Sequence, residues 1–488
     1  MSGMNRTIRR LGMAVVVLLL ALVGQLTYLQ VVDAKKLDHD PRNVRRLVRD
    51  FSKPRGQIIT GDGRVAAKSV PVDDLFRLQR QYPLGSLMSQ IVGYQSFVVG
   101  NTGVENTYND ELVGRSADLA IHNFKDILSN RDQFGNVVLS VRADVQEVAR
   151  QALGSQKGSV VALDPSTGAI LAMYSNPSFD PSPLASHNGA LVNAYFTLLN
   201  NDPNKSSLAR AYREIYAPGS TFKTVTTSVG LETGVITPDT VFPTLTSLKL
   251  PDSPRFLANF GNESCGGTVT QSFIVSCNTT FAQIGINLGD QFPPGMHAFG
   301  VGERPPLDVA PGAVASIDMD NRPFATNKAF YGLAGIGQGF IAVTPLQMAL
   351  VASAVANHGV IMEPHVMSEI QDAQGGVVRR FAPREWKRAM PSVVADQVTA
   401  MMIDVVNQGT GTPAQIPGVQ VAGKTGTAQV EGQREPNAWF IAFAPAQSPK
   451  YAVAVLVEQG GNQGSDATGG QVAGPIARQV LQKLLSTG

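Results

Sequence analysis

Ser220 and Lys223 stand in the stretch Tyr216-Ala217-Pro218-Gly219-Ser220-Thr221-Phe222-Lys223, with a spacing that could do acyl transfer. A serine hydroxyl is a poor nucleophile until a neighbouring base takes its proton, and a lysine one helical turn away can be that base if it is kept neutral. Pro218 and Gly219 mark a turn, and apolar residues recur at Phe222, Val225 and Val229, with Leu231 beyond, so a buried helix is expected from Ser220 onward. Ser220 then sits at a helix N-terminus with Lys223 further along the same face. Unpaired backbone N–H groups at such a terminus suit a developing oxyanion. The same spacing also arises where a serine simply caps a helix, so the pair needs support from elsewhere in the chain.

Two further motifs supply it. Ser276-Cys277-Asn278 falls at a break between two apolar helical stretches, Val269 to Val275 and Phe281 to Leu288. Lys424-Thr425-Gly426-Thr427 follows the β-like run Val419 to Gly423, which places it on or at the end of a strand. Singly, each has an ordinary reading, since Ser and Asn cap helices and Lys-Thr-Gly occurs in strands. Occurring together, in the order Ser-x-x-Lys, Ser-x-Asn, Lys-Thr-Gly, they form a set.

The elements that must position this set can be read along the chain. With 488 residues, two or three domains are expected. A net charge of +2 gives no reason to propose nucleic acid as a partner. Charged residues are only 16%, with 48 Gly and 30 Pro, which fits a loop-rich protein with a substantial core. Two cysteines, Cys265 and Cys277, are too few for a disulfide scaffold or a structural zinc site. The histidines at 39, 122, 187, 297, 358 and 365 show no metal-ligand spacing, so no metal is expected.

Arg6, Arg9 and Arg10 precede an apolar run over 11–32 that is long enough to cross a bilayer. It lacks a small-x-small cleavage site, and the arginines favour a cytoplasmic N-terminus (1–10) with the rest of the chain outside. A neck follows to about residue 56, with Lys35, Lys36, Arg42, Arg45, Arg46, Arg49 and Lys53; it reads as a solvated stalk rather than a patch for anionic lipid or wall polymer. Two β-like runs flank Gly61-Asp62-Gly63, and short mixed elements continue to residue 142, giving a small domain over 33–142. At 143–488 the texture changes. Asp144 is expected to cap a helix through Val145, Val148, Ala149 and Ala152. Gly158 to Leu163 and Ala169 to Tyr174 read as a hairpin over Asp164-Pro165-Ser166-Thr167-Gly168, mirrored by Ala438 to Ala444 and Tyr451 to Val457. A terminal helix is expected over 472–485, and Thr344-Pro345-Leu346-Gln347 reads as a capping box opening a helix that Gly359 closes. The fold expected is α/β, an antiparallel sheet flanked by helices, preceded by a transmembrane helix and a small mixed N-terminal domain.

The chain resembles the penicillin-binding proteins, specifically the class B D,D-transpeptidases of bacterial cell-wall synthesis, and within them actinobacterial members. The resemblance runs nearly end to end: Arg55-Gly56-Gln57-Ile58 and Gly103-Val104-Glu105 match the N-terminal, dimerisation-type domain. Gly158 to Ser175, Gly335-Ile336-Gly337-Gln338-Gly339 and Ala438-Trp439-Phe440 match landmarks of the transpeptidase domain, which is of the serine β-lactamase-like kind. The glycine cluster lacks the strand–GxGxxG–helix setting of a nucleotide site.

The resemblance implies roles. Ser220 would attack the penultimate D-Ala carbonyl of a peptidoglycan stem peptide, releasing terminal D-Ala and forming an acyl-enzyme. Lys223 would be general base, its pKa lowered by partial burial and by the charge of Lys424. Ser276 would relay the proton to the leaving amine, and Asn278 would bind the substrate backbone and help hold Lys223. The N–H groups of Ser220 and Thr427 would form the oxyanion hole. Lys424 to Thr427 would pair with the donor peptide, Gly426 permitting close approach, while Thr425 and Thr427 receive its carboxylate. An amine from a second stem peptide would resolve the acyl-enzyme; β-lactams would acylate Ser220 and stay. No cofactor is implied. The partners implied are stem peptides, the bilayer through one helix, a membrane glycosyltransferase of the SEDS type, and division or elongation proteins.

Cys277 occupies a position that varies in this family. Outside the cytoplasm it could pair with Cys265 and brace the loop beside the active site, as exported thiols tend to oxidise; two buried free thiols are the alternative. Serine β-lactamases and β-lactam sensors share the three motifs. No Glu fits the class A pattern, Asn278 does not fit the Ser-x-Val of class D, and a sensor would need a signalling domain where the sequence holds residues 1–10. Residues 33–142 are too short for the glycosyltransferase domain of a bifunctional enzyme. A D,D-carboxypeptidase, differing only in using water as acceptor, and a catalytically vestigial scaffold of the wall machinery complete the alternatives.

Overall fold

The computed structural model describes residues 2–28, 48, 51–122, 134–316, 324, 327–429 and 435–487. The charged residues of the neck from Lys35 to Arg49, and the last residues of the apolar run at 29–32, lie outside them. Residues 1–54 and 70–79 form one unit, and residues 55–69 with 80–488 the other.

In the first unit, Ser2–Thr27 is one helix. Its stretch Asn5–Thr27, which holds an 18-residue window of mean hydropathy 2.0, is long and apolar enough to cross a membrane, which fits membrane anchoring.

The second unit begins with a sheet. Ile58 pairs antiparallel with Ala67 and parallel with Val137. Two strands from much later in the chain, Met367–Gln371 and Val377–Arg380, extend this sheet, the first pairing antiparallel with Asn136–Leu139. Beside it lies a buried charge cluster: Glu105 accepts Arg55 Nε at 2.7 Å and Arg80 Nε at 2.5 Å. Arg55 also donates to the Glu105 carbonyl and to Asn109 Oδ1, so the two residues of the Arg-Gly and Gly-x-Glu landmarks are partners.

The helix Ala143–Leu153 starts differently from the sequence expectation. Arg142 is the N-cap residue, and Asp144 lies inside the first turn. The cap comes from Asp62 in the Gly61-Asp62-Gly63 turn, whose carboxylate accepts Ala143 N–H at 2.7 Å and Asp144 N–H at 3.2 Å. Asp144 instead pairs with Arg142 and with Lys483 of the last helix.

The larger part of this unit is built on a five-stranded antiparallel sheet. Its strands are β1 (Gly158–Leu163), β2 (Ile170–Asn176), β3 (Ala422–Ala428), β4 (Asn437–Ala444) and β5 (Tyr451–Val457), in the order β3-β4-β5-β1-β2. Both expected hairpins are present, and the second joins the first through β5 and β1. Every residue of β4 is buried, which requires cover on both faces. Ala143–Leu153 and Gly469–Leu485 pack together against the sheet, as do Pro345–Ala356 and Ser392–Gln408. Pro345–Ala356 is buried over its whole length. Thr344 caps it by accepting Gln347 N–H, but the Gln347 amide donates to the Phe299 carbonyl, so only half of the expected capping box forms.

Candidate active site

Pro218 and Gly219 lead into a single 3₁₀ turn, Gly219–Phe222, which runs directly into the helix α1 (Lys223–Glu232). Gly219 has φ +54°, and a Cβ there would lie 2.9 Å from the Thr427 carbonyl, so the turn packs hard against β3. Gly426 answers from the other side, where a Cβ would lie 2.9 Å from the Pro218 carbonyl. Remote residues hold the turn. Gly219 N–H donates to the Gly337 carbonyl at 2.9 Å, Trp439 Nε1 donates to the Ala217 carbonyl at 3.0 Å, and Tyr216 and Val343 exchange backbone bonds. Glu458 Oε1 accepts both Tyr216 OH and Arg210 Nε at 2.8 Å. Gly337 and Trp439 therefore have a structural reason for being landmarks.

From Lys223 to Gly230, α1 is buried on every face. The Lys223 amine meets the Ser-x-Asn segment, which occupies the break between α2 (Val269–Ile274) and α3 (Asn278–Leu288). Thr268 and Gln271 form a capping box that starts α2, and Ser276, at φ +61°, turns the chain sharply before α3. Lys223 Nζ donates to the Ser276 carbonyl at 2.7 Å, to Asn278 Oδ1 at 2.8 Å and to Ser276 Oγ at 3.3 Å. From β3, Lys424 Nζ donates to the same Ser276 Oγ at 2.9 Å and to the Thr425 carbonyl at 3.2 Å. Asn278 also donates to the Ala258 carbonyl, tying α3 to the strand Phe256–Ala258.

Both amines are fully buried, and burial pushes both pKa values down. Lys223 falls well below the ordinary lysine value, by burial first and by the charge of Lys424 second. Lys424 falls to about 7 through burial.

A cavity of about 900 Å³ opens over these groups, lined by Ser220, Ser276, Asn278, Thr425 and Thr427. Lys223, Lys424 and Gly426 are buried and do not line it. Thr425 Oγ1 is 2.6 Å from Thr410 Oγ1, and Thr427 Oγ1 accepts Gly469 N–H at the start of the last helix. Cys265 and Cys277 are joined by a disulfide, which ties the centre of the Ser-x-Asn segment to the strand Cys265–Thr268.

All the residues singled out in the three motifs converge on this one cleft. In one respect the geometry differs from the simple nucleophile–base pair: Lys223 directs its hydrogen bonds to Ser276 and Asn278, and among the described residues none is made to Ser220 Oγ. Sequence reading did not single out Thr410, Glu458, Arg210 or Gly469. The Gly409-Thr410-Gly411 run carried a turn signal, but nothing local linked it to Thr425.

A serine at the head of a buried helix, a buried amine of lowered pKa on that helix, and a second hydroxyl shared between two amines define a serine acyltransferase site. The chain belongs to the penicillin-binding protein transpeptidase family: residues 158–482 match the family described as penicillin binding protein transpeptidase domain. Residues 55–138 match the penicillin binding protein A dimerisation domain. Proteins named peptidoglycan D,D-transpeptidase PbpA from Mycolicibacterium smegmatis and Mycobacterium tuberculosis are 39% and 38% identical over 99% of this chain, and 100% and 99% of theirs. The solved structure of penicillin-binding protein A from M. tuberculosis, a ceftriaxone acyl-enzyme complex, is 35% identical, with a TM-score of 0.82 over 89% of this chain and 99% of that one.

Proposed function

We propose that this chain is a peptidoglycan D,D-transpeptidase in which Ser220 is the acylated nucleophile, as the names of its relatives and their acyl-enzyme complexes support. The observation that carries the reading is the sharing of Ser276 Oγ between the Lys223 and Lys424 amines beside Ser220. Lys223, its pKa lowered by burial and by Lys424, takes the Ser220 proton in its neutral form as the hydroxyl attacks the penultimate D-Ala carbonyl. The N–H groups of Ser220 and Thr427 hold the oxyanion, where a lost donor typically costs on the order of 3 kcal/mol. Ser276 passes the proton to the departing D-Ala amine, so the C–N bond breaks as N–H forms and the ester to Ser220 remains. The donor peptide lies along β3 in β fashion, its carboxylate on the Thr425 and Thr427 hydroxyls and its backbone on Asn278. The amine of a second stem peptide attacks the ester, forming the cross-link and freeing Ser220. A β-lactam opens on Ser220 by the same first step.

The chain divides into a cytoplasmic N-terminus (1–10), an anchor (11–32), a dimerisation-type domain (33–142) and the transpeptidase domain (143–488). The basic residues before the apolar run support placing the catalytic domain outside the cell. A SEDS-type glycosyltransferase and division or elongation proteins are the partners this reading calls for.

The test is covalent labelling of the purified full-length chain by fluorescent penicillin. Ser220→Ala is expected to abolish the label, with the adduct in the parent mapping to Ser220. Labelling that survives the substitution refutes the assignment, and rapid loss of the adduct to water identifies a hydrolase.

A further inference from the structure

Two buried aromatic rings lie behind the two lysines, and the mechanism so far makes no use of them. Lys223 Nζ stands over the ring of Phe281 at 5.4 Å from its centroid, and Lys424 Nζ stands over the ring of Phe273 at 5.5 Å. The rings contact each other at 6.0 Å between centroids, tilted by 58°. Both are fully buried, Phe273 on α2 and Phe281 on α3, so they flank the turn that presents Ser276.

The two amines need such support. Their hydrogen-bond partners are the Ser276 carbonyl and hydroxyl, Asn278 Oδ1 and the Thr425 carbonyl, all of them neutral. No carboxylate pairs with either amine among the described residues. From α2, α3 and β3, the charged group facing Lys223 is Lys424, which repels it. A buried ammonium without a counter-charge is costly, and the negative face of an aromatic ring is one of the few apolar surfaces that offsets it.

We propose that Phe273 and Phe281 are positioning residues that set the protonation of the active-site lysines, each ring stabilising the ammonium form of the amine above it. Phe281 keeps Lys223 basic enough to hold the Ser220 proton, since a base whose pKa drops too far accepts a proton poorly. Phe273 keeps Lys424 charged, and that charge in turn keeps Lys223 from being protonated at rest. This rests on the reading of Lys223 as the base for Ser220.

The two rings therefore act in opposite directions on the pH profile of acylation. The acidic limb reports protonation of Lys223, and the alkaline limb loss of the Lys424 ammonium that donates to Ser276 Oγ, the hydroxyl that relays the proton. Phe281→Leu removes support from the Lys223 ammonium, so the acidic limb moves to lower pH, by about half to one unit. Phe273→Leu removes support from the Lys424 ammonium and eases its repulsion of Lys223. The alkaline limb moves down by a similar amount and the acidic limb moves up, so the active range narrows.

The experiment measures penicillin acylation of the full-length chain against pH, with 3,4,5-trifluorophenylalanine at position 281 or 273 as a shape-preserving second variant that weakens the ring face. Its shifts run in the same directions as those of the leucine variants. Chemical shifts of ¹³C-labelled lysine follow the two amines directly, independent of turnover. Limbs that stay in place or move together in the two variants, with only the overall rate reduced, make the rings mere packing and overturn the proposal. Absence of a Ser220 adduct in the parent refutes the proposed function instead, and the lysine titrations still decide the role of the rings.

Discussion

Removing the Cys265–Cys277 disulfide probes how tightly the Ser-x-Asn turn must be held. The bond closes a sequence separation of 12 residues, for which loop-closure entropy gives about 3 kcal/mol of stabilisation. Its placement adds a local effect. Cys277 separates Ser276 from Asn278, and its partner lies on a strand paired with Val241–Leu245. Ser276 occupies the left-handed region, a conformation that costs a non-glycine residue on the order of 1–3 kcal/mol and persists only where its surroundings impose it. With the bond gone, the turn keeps the backbone bonds Ser276 N–H to Phe273 and Cys277 N–H to Ser272. The double variant Cys265→Ala/Cys277→Ala is expected to lose about 3 kcal/mol in urea unfolding. It should also acylate with penicillin about tenfold more slowly, because about 1.4 kcal/mol of strain released from the turn must be restored in the transition state. Urea titration followed by fluorescence gives the first number, and the rate of fluorescent-penicillin labelling gives the second. A double variant with parental unfolding and parental acylation shows that the hydrogen bonds alone fix Ser276, and the bracing role is then wrong.

Two further substitutions test the framework away from the cleft. Asp62→Ala strips the cap from the helix Ala143–Leu153 and should lower stability by about 1 kcal/mol in thermal unfolding, with labelling at Ser220 unaltered; an unchanged melting temperature refutes the capping role. Glu105→Gln leaves the guanidinium groups of Arg55 and Arg80 buried without their counter-charge, an expected loss of about 3–5 kcal/mol. Burial by itself raises the Glu105 pKa, but the charges of Arg80 and Arg55 outweigh it and hold the carboxyl below its ordinary value. The stability this carboxylate contributes is therefore present above its unfolded pKa and fades as pH falls through the lower folded one, so parent and variant should converge in acid. Parallel stability curves from neutral pH into that acidic range would count against the ion cluster.

The motifs were legible because each sits where local pattern and tertiary role agree. The period of Phe222, Val225 and Val229 marks a helix whose buried face does carry Lys223. The break between two apolar runs marks a turn, and the turn presents Ser276. The strand of Lys424 and both flanking hairpins follow the same logic. What stayed hidden depends on partners distant in sequence. Asp144 looked like a cap because it stands at the right place, yet Asp62 reaches the helix end first across a tertiary contact. Gln347 matched a capping box, but its side chain is buried and is drawn to the Phe299 carbonyl. The strands Met367–Gln371 and Val377–Arg380 are too short to announce that they complete a sheet begun at Ile58. Phe273 and Phe281 read as helix core, and only the folded chain sets each beneath an amine.

The position of Ser220 is likewise a property of the whole domain rather than of its own helix. A 3₁₀ turn of four residues has little stability by itself, and Gly219 adds conformational freedom that must be removed. The restraints come from Trp439 on β4, Gly337 and Val343 ahead of the helix Pro345–Ala356, and Glu458 just past β5. Lys424 arrives from β3, on the neighbouring strand to Trp439, with Gly426 directly opposite that tryptophan in the register. The strand that supplies the second amine and the strand that holds the turn of Ser220 are thus hydrogen-bonded neighbours, so Ser220 and Lys424 are set by one rigid ladder. Lys223 and Ser276, by contrast, meet through helix ends, where small rearrangements cost less. Ser220 and Lys424 are held by the ladder, and Ser276, which the proposed proton relay uses, lies in the part of the site that the disulfide braces.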